Sequence, residues 1–60
     1  MWIVAKKDEI GYYEIPYVLF ENEIPDGYTL IKKMSMKKAA INLRDDLNAE
    51  YLIKNKKLVF

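Results

Sequence analysis

One stretch in the second half of the chain has the spacing of an amphipathic helix, and it constrains the fold more than any other feature. Its apolar side chains recur three and four residues apart, at Met36, Ala39, Ala40, Leu43 and Leu47. At about 100° per residue these positions form one compact stripe, which predicts a helix from Met36 to Ala49. Ser35 is the predicted N-cap, because its hydroxyl can accept a hydrogen bond from the first turn.

The segments before this helix have the composition of strands. Trp2–Ala5 is a short apolar and β-branched run, and residues 12–15 follow Gly11 as a predicted returning strand. Pro16 cannot donate to a sheet ladder, so the continuation over 17–20 belongs to an edge strand or leaves the sheet. A turn over residues 24–27, with the sequence IPDG, then leads into a third predicted strand over 28–34.

The last ten residues allow two interpretations. Leu52 and Ile53 fall off the helical stripe, which predicts that the helix ends near Glu50. Residues 51–53 and 58–60 would then form a hairpin with Asn55 in its turn. The alternative is a helix that continues to Lys54.

The resulting order is β-β-(β)-α-β-β, which predicts a single small α+β domain over residues 1–60. One helix would pack on a mostly antiparallel sheet, because the chain offers nothing else to cover it. We expect a core made of Trp2, Val4, Leu30, Met36, Ala40, Leu43 and Leu47.

The composition excludes most catalytic chemistry. The chain has no cysteine and no histidine, so it has no thiolate nucleophile, no imidazole base and no ordinary zinc site. Two glycines cannot form a glycine-rich phosphate loop. A core this small can scarcely enclose a pocket of roughly 300–1,000 Å³. We therefore expect a protein that is not an enzyme and uses no cofactor or metal.

The distribution of apolar residues also predicts a location. The longest run without a charged residue is 15–20, far short of the ~20 residues that span a bilayer. No apolar stretch near the N-terminus is long enough for a signal peptide. Absence of cysteine fits a reducing compartment. We expect a cytoplasmic protein that does not engage a membrane.

The two halves of the chain carry opposite charge. Residues 1–28 contain two lysines and six acidic side chains, whereas residues 29–60 contain eight basic and three acidic side chains. The formal net charge of +1 therefore hides a dipolar molecule. Such asymmetry is typical of a protein that meets a charged macromolecule with one face.

The basic residues gather at two places. Lys32 and Lys33 end the third predicted strand, and Lys37 and Lys38 occupy the first helical turn, where free backbone N–H groups also attract anions. Arg44 lies further along the same helix. A second cluster follows at the predicted hairpin tip, where it could contact phosphates or simply be solvated. Its members are Lys54, Lys56 and Lys57.

Two further features are candidates for contact with a partner. Tyr12, Tyr13 and Tyr17 lie in the acidic half, and exposed tyrosines are common anchors in protein interfaces. Ile41 falls opposite the helical stripe and would be exposed. The predicted hairpin, a second copy of the chain or a partner could cover it.

These features favour a small accessory or regulatory protein that acts by binding another macromolecule. A protein is the favoured partner. Such a compact design without cofactors suits a virus, plasmid or mobile element. One alternative is a nucleic-acid-binding protein that uses both basic clusters, although a single arginine and the acidic half disfavour it. Another is an obligate homodimer that buries Ile41 or an unpaired strand edge.

Overall fold

The structure, a computed structural model, describes residues 1–11 and 14–55. Within these residues the elements are β1 (Trp2–Lys7), β2 (Tyr17–Glu21), β3 (Tyr28–Met34) and α1 (Lys37–Asn55). The strands form an antiparallel sheet in the order β2-β1-β3, and α1 packs on it. This small α+β domain confirms the predicted fold class.

The central strand β1 carries apolar side chains on both faces of the sheet. Ile3, Val4 and Ala5 expose 2%, 0% and 0% of their surface. Because successive side chains in a strand point to opposite faces, Val4 shares one face with Trp2, and Ile3 shares the other with Ala5. The Trp2 face is the helix side, because the Lys37 ammonium lies 4.9 Å from the indole centroid. A strand of this kind needs cover on both faces.

The helix covers one face and is joined to the edge strand β2 through Asn48. The backbone N–H of Tyr17 donates to Asn48 Oδ1 over 2.9 Å, and Asn48 Nδ2 donates to the Tyr17 carbonyl over 2.9 Å. Asn48 is 6% exposed, and Ala40, two turns earlier, is fully buried. The Asn48 amide thus satisfies backbone groups that an edge strand would otherwise leave open.

The connection over residues 22–27 covers the opposite face. β2 and β3 flank β1 and are both antiparallel to it, so this connection must cross β1 and follow its whole length. Six residues reach about 20 Å when extended, which is little more than the length of β1. The connection is held at both ends: the Asn22 N–H donates to the Met1 carbonyl over 2.8 Å, and the Asp8 N–H donates to the Gly27 carbonyl over 2.9 Å.

Two aromatic rings complete this second layer. Phe20 pairs with Ile3 and Tyr28 with Lys7, so both rings project on the same face as Ala5. Their centroids lie 4.8 Å apart with an interplanar angle of 77°, an edge-to-face contact. The small Ala5 side chain leaves room for this contact between the two outer strands.

The second strand starts later than the sequence predicts. Residues 14 and 15 are not in a strand, and residues 12 and 13 lie outside the described part of the chain. The Glu14 N–H donates to the Gly11 carbonyl over 3.1 Å and not to a neighbouring strand. The edge-strand prediction for residues 17–20 is confirmed, as is the strand over 28–34. The predicted turn is present, with Gly27 at φ +93°.

The predicted C-terminal hairpin is wrong where it can be compared. The helix continues to Asn55, so residues 51–53 are helical; residues 56–60 lie outside the described part. Tyr51 lies four residues after Leu47 and is half-buried, so the helical repeat continues past Glu50. At the other end the Ala40 N–H donates to the Met36 carbonyl over 3.1 Å, so the N-cap is Met36 rather than the predicted Ser35, and the helix begins at Lys37.

The predicted core is only partly correct. Val4 and Ala40 are fully buried, but Leu30 is 46% and Met36 66% exposed. The face centred on Ala40 and Asn48 is turned sideways from the predicted stripe, because the Asn48 hydrogen bonds set the helix rotation. This rotation also leaves Ile41 half-buried rather than exposed.

Candidate functional site

A groove lies between the C-terminal half of α1 and the ends of β1 and β2. Its volume is about 330 Å³, at the small end of the range of binding pockets. We call it the tyrosine groove. It is lined by Lys6, Tyr17, Leu47, Glu50, Tyr51 and Lys54.

Two layers of the fold supply this lining. Leu47, Tyr51 and Lys54 are four and three residues apart, so they share one face of the helix. Lys6 and Tyr17 are register partners on neighbouring strands and therefore lie side by side. The groove thus exists only because the helix continues past Glu50.

The position of Tyr17 is fixed before any partner arrives. Asn48 holds both backbone polar groups of Tyr17. The preceding Pro16 is fully buried, and its ring restricts the backbone φ angle. A backbone held in this way loses little conformational entropy on binding, which favours affinity.

The groove combines aromatic surface with positive charge. Tyr17 and Tyr51 are both half-buried. Tyrosine offers a flat apolar ring and a polar hydroxyl, so it can pack and hydrogen-bond at once. Two lysines and one carboxylate, that of Glu50, line the groove, so cations outnumber anions there. Within the described ranges 1–11 and 14–55, no group of three or more acidic side chains could hold a metal ion.

The basic residues near the helix start do not share one surface. Lys32 pairs with Val4 and Lys33 with Ile3, so their side chains project from opposite faces of the sheet. Lys37 and Lys38 are both exposed, but only the Lys37 ammonium lies over the Trp2 ring. The structure therefore divides the predicted basic corner between two faces.

The remaining predicted residues are also separated. Arg44 Nη2 is 2.8 Å from a carboxylate oxygen of the adjacent Asp45. Lys54 lies in the last helical turn, about 25 Å along the axis from Lys37, and not at a hairpin tip. Four of the predicted residues lie outside the described part of the chain: Tyr12, Tyr13, Lys56 and Lys57.

Sequence reasoning found two of the six groove residues as partner-binding candidates, Tyr17 and Lys54. It missed Lys6, Glu50 and Tyr51, and it assigned Leu47 to the core alone. The spacing from Leu47 to Lys54 was a usable signal, because it continues the helical repeat. The hairpin prediction concealed that signal by placing Tyr51 in a strand.

An ion pair joins Lys7, the last residue of β1, to Glu14 in the link that leads to β2. Lys7 Nζ donates to the Glu14 carboxylate over 2.8 Å, and the Gly11 N–H points at the same group. The hydrogen bond from Lys7 lowers the pKa of Glu14 below its ordinary value, with a smaller contribution from Gly11. The same contact raises the pKa of Lys7. Both side chains are accessible to solvent, so the pair is a surface ion pair that links Glu14 to β1 rather than a buried site.

No protein-family model, curated protein or solved structure matches this chain. No helix in the described residues is long and apolar enough to cross a membrane.

Proposed function

We propose that this chain is a small non-enzymatic binding protein whose tyrosine groove holds an acidic segment of a partner protein. One observation carries the proposal: Tyr17 and Tyr51, from different layers of the fold, converge on one open groove that Lys6 and Lys54 also line. A protein of this kind regulates its partner by covering the acidic segment that the groove holds.

The tyrosines would supply most of the binding free energy. Binding hot spots are enriched in tyrosine, and truncation of one typically costs about 2 kcal/mol or more. Tyr17 is the stronger candidate anchor, because its backbone is already fixed by Asn48. An aliphatic or aromatic side chain of the partner would pack between the rings, against Leu47.

The lysines would select the charge of the partner. Lys6 comes from the sheet and Lys54 from the helix, so an acidic residue on either side of the packed side chain could reach a cation. Such contacts at an exposed rim contribute to association rate and specificity more than to affinity. A groove this small fits a short segment better than a broad folded surface.

Single-stranded nucleic acid is a second candidate for the same groove. Bases stack on tyrosine rings, and lysines pair with phosphates, so the observed side chains support this chemistry too. Glu50 lies in the groove and repels any anion, but a nucleic acid brings one phosphate per nucleotide, whereas a peptide needs only one or two carboxylates beside the lysines. The protein candidate is favoured for that reason.

The test compares two fluorescent probes by anisotropy: a short peptide with one tyrosine or leucine between acidic residues, and a mixed-sequence DNA strand. We expect the peptide to bind and the Lys54→Glu variant to weaken that binding. Lys38→Glu is the matched control, because Lys38 is an exposed lysine on the same helix outside the groove.

Three outcomes would contradict the protein candidate. The DNA strand could bind more tightly than the peptide, with a steep salt dependence. Lys38→Glu could weaken peptide binding as much as Lys54→Glu. Tyr17→Ala could lose the fold together with binding, which would make the groove part of the core.

A further inference from the structure

The helix-free face of the sheet, which carries Ile3, Ala5, Phe20 and Leu30, keeps an apolar groove after the 22–27 connection has crossed it. The groove encloses about 340 Å³. Leu30 lines it and is 46% exposed. We call it the rear groove. It is lined by Ile3, Asn22, Glu23, Ile24, Leu30 and Lys33.

The charges beside the rear groove are self-complementary. The segment 21–26 contains Glu21, Glu23 and Asp26 and no basic residue, whereas β3 contributes a cation, Lys33, to this face of the sheet. A two-fold axis brings the same patch of two copies together. The acidic connection of each copy would then lie beside Lys33 of the other. Glu23 and Lys33 would form this contact twice.

We propose that the rear groove is the interface of a homodimer, in which the Ile24 and Leu30 side chains of two copies pack together. A second copy fits this groove better than a peptide of one charge, because both signs line it and such a peptide meets repulsion on one side. The proposal concerns the face opposite the tyrosine groove. A failure of the proposed function would therefore not contradict the dimer, and a failure of the dimer would not contradict the proposed function.

The contact joins faces of the sheets rather than edges. β3 is an exposed edge strand, but its register with β1 shifts at Val4/Ala5, so Ile31 forms a bulge. Bulges and lysines on an edge discourage the addition of another strand. Packing of the two rear faces would instead enlarge the buried surface of a chain that has no disulfide to stabilise it.

The experiment measures mass by sedimentation equilibrium from about 1 μM to 1 mM protein at low salt. We expect a concentration-dependent dimer. Glu23→Lys and Lys33→Glu should each weaken it by about tenfold or more, because two attractive contacts become repulsive. The double variant, which combines Glu23→Lys with Lys33→Glu, should restore the dimer, because each contact again joins opposite charges. An equimolar mixture of the two single variants should form a heterodimer.

Matched controls keep this test independent of folding. Lys38→Glu makes the same charge change as Lys33→Glu at an exposed position of the helix. Leu30→Asp should abolish the dimer, whereas Ile53→Asp, at a side chain 77% exposed on the helix, should not. Circular dichroism verifies that each variant is folded. A wild-type monomer over the whole range would overturn the proposal, and so would equal effects of Lys33→Glu and Lys38→Glu, or a double variant that stays monomeric.

Discussion

On the helix side of the sheet, a buried side-chain amide fixes the covering element, and on the rear side two backbone hydrogen bonds fix a short connection. Asn48 joins α1 to β2 through both backbone groups of Tyr17, within the part of the interface that excludes water. The 22–27 connection is hydrogen-bonded to Met1 and to Asp8 at its ends, and Ile24 in its middle lines the rear groove. A helix anchored in this way leaves an open groove beside the anchor. A connection this short leaves apolar surface uncovered.

The first prediction concerns the anchor and has the largest effect. Asn48→Ala removes two hydrogen bonds and leaves the Tyr17 N–H and carbonyl without their partner. We expect the free energy of unfolding to fall by about 2–4 kcal/mol, because unsatisfied buried polar groups cost about 1–3 kcal/mol each. Urea denaturation measures it. The control is Asn42→Ala, an exposed asparagine on the same helix, and equal midpoints for the two variants would show that Asn48 is not the anchor.

The second prediction concerns the rear face. Phe20 and Tyr28 meet edge to face on the outer strands, so replacing each by leucine, alone and together, should reveal a coupling free energy of about 0.5–1.5 kcal/mol. The double-mutant cycle removes the separate cost of burial at each position. Additive effects of the two substitutions would mean that the rings do not stabilise each other.

The third prediction separates two adjacent lysines at the start of α1. The first turn has no acidic residue, so both lysines oppose the helix dipole. Lys38→Glu should stabilise the protein by about 0.3–1 kcal/mol. Lys37→Glu should give almost no net gain, because it also removes the cation–π contact with Trp2, which is worth about 0.5–1 kcal/mol. Thermal unfolding of both variants checks this, and equal gains would deny a contribution from the Trp2 contact.

The last and smallest effect is a pH dependence. The pKa of Glu14 is lowered in the folded protein, so its ion pair with Lys7 stabilises the fold at pH values above the ordinary Glu pKa of 4.5. This contribution should be lost as the pH falls through the lowered pKa of the folded state. Glu14→Gln should therefore reduce the difference in stability between pH 6 and pH 3, relative to an exposed control such as Glu9→Gln. An unchanged pH profile would show that the pair contributes nothing.

The sequence predicted the helix, the IPDG turn, the third strand and the fold class from local signals. Periodicity and proline–glycine chemistry act over a few residues, so a pattern reveals them. The rotation of the helix was not predictable in this way. It depends on Asn48, a polar residue whose hydrogen-bond partners lie on a strand 31 positions earlier in the chain.

The candidate site was only partly predictable for the same reason. Tyr17 was predicted as a binding residue because it is an aromatic residue in the acidic half, and Lys54 because it is part of a basic cluster. Their convergence with Lys6 and Tyr51 depends on the strand register and on the packing of the helix. The rear groove follows from the crossing connection, which no local pattern near Ile24 or Leu30 reveals.

One measurement tests the assignment of different functions to the two faces most directly: a pair of two-dimensional ¹H–¹⁵N NMR series on the same labelled protein. Titration with the acidic peptide should shift backbone signals of Lys6, Tyr17 and Lys54. Dilution without peptide should instead shift those of Glu23 and Leu30. If the peptide moves the rear-face signals, or if both series move the same residues, the assignment of binding to the tyrosine groove and of self-association to the rear groove is wrong.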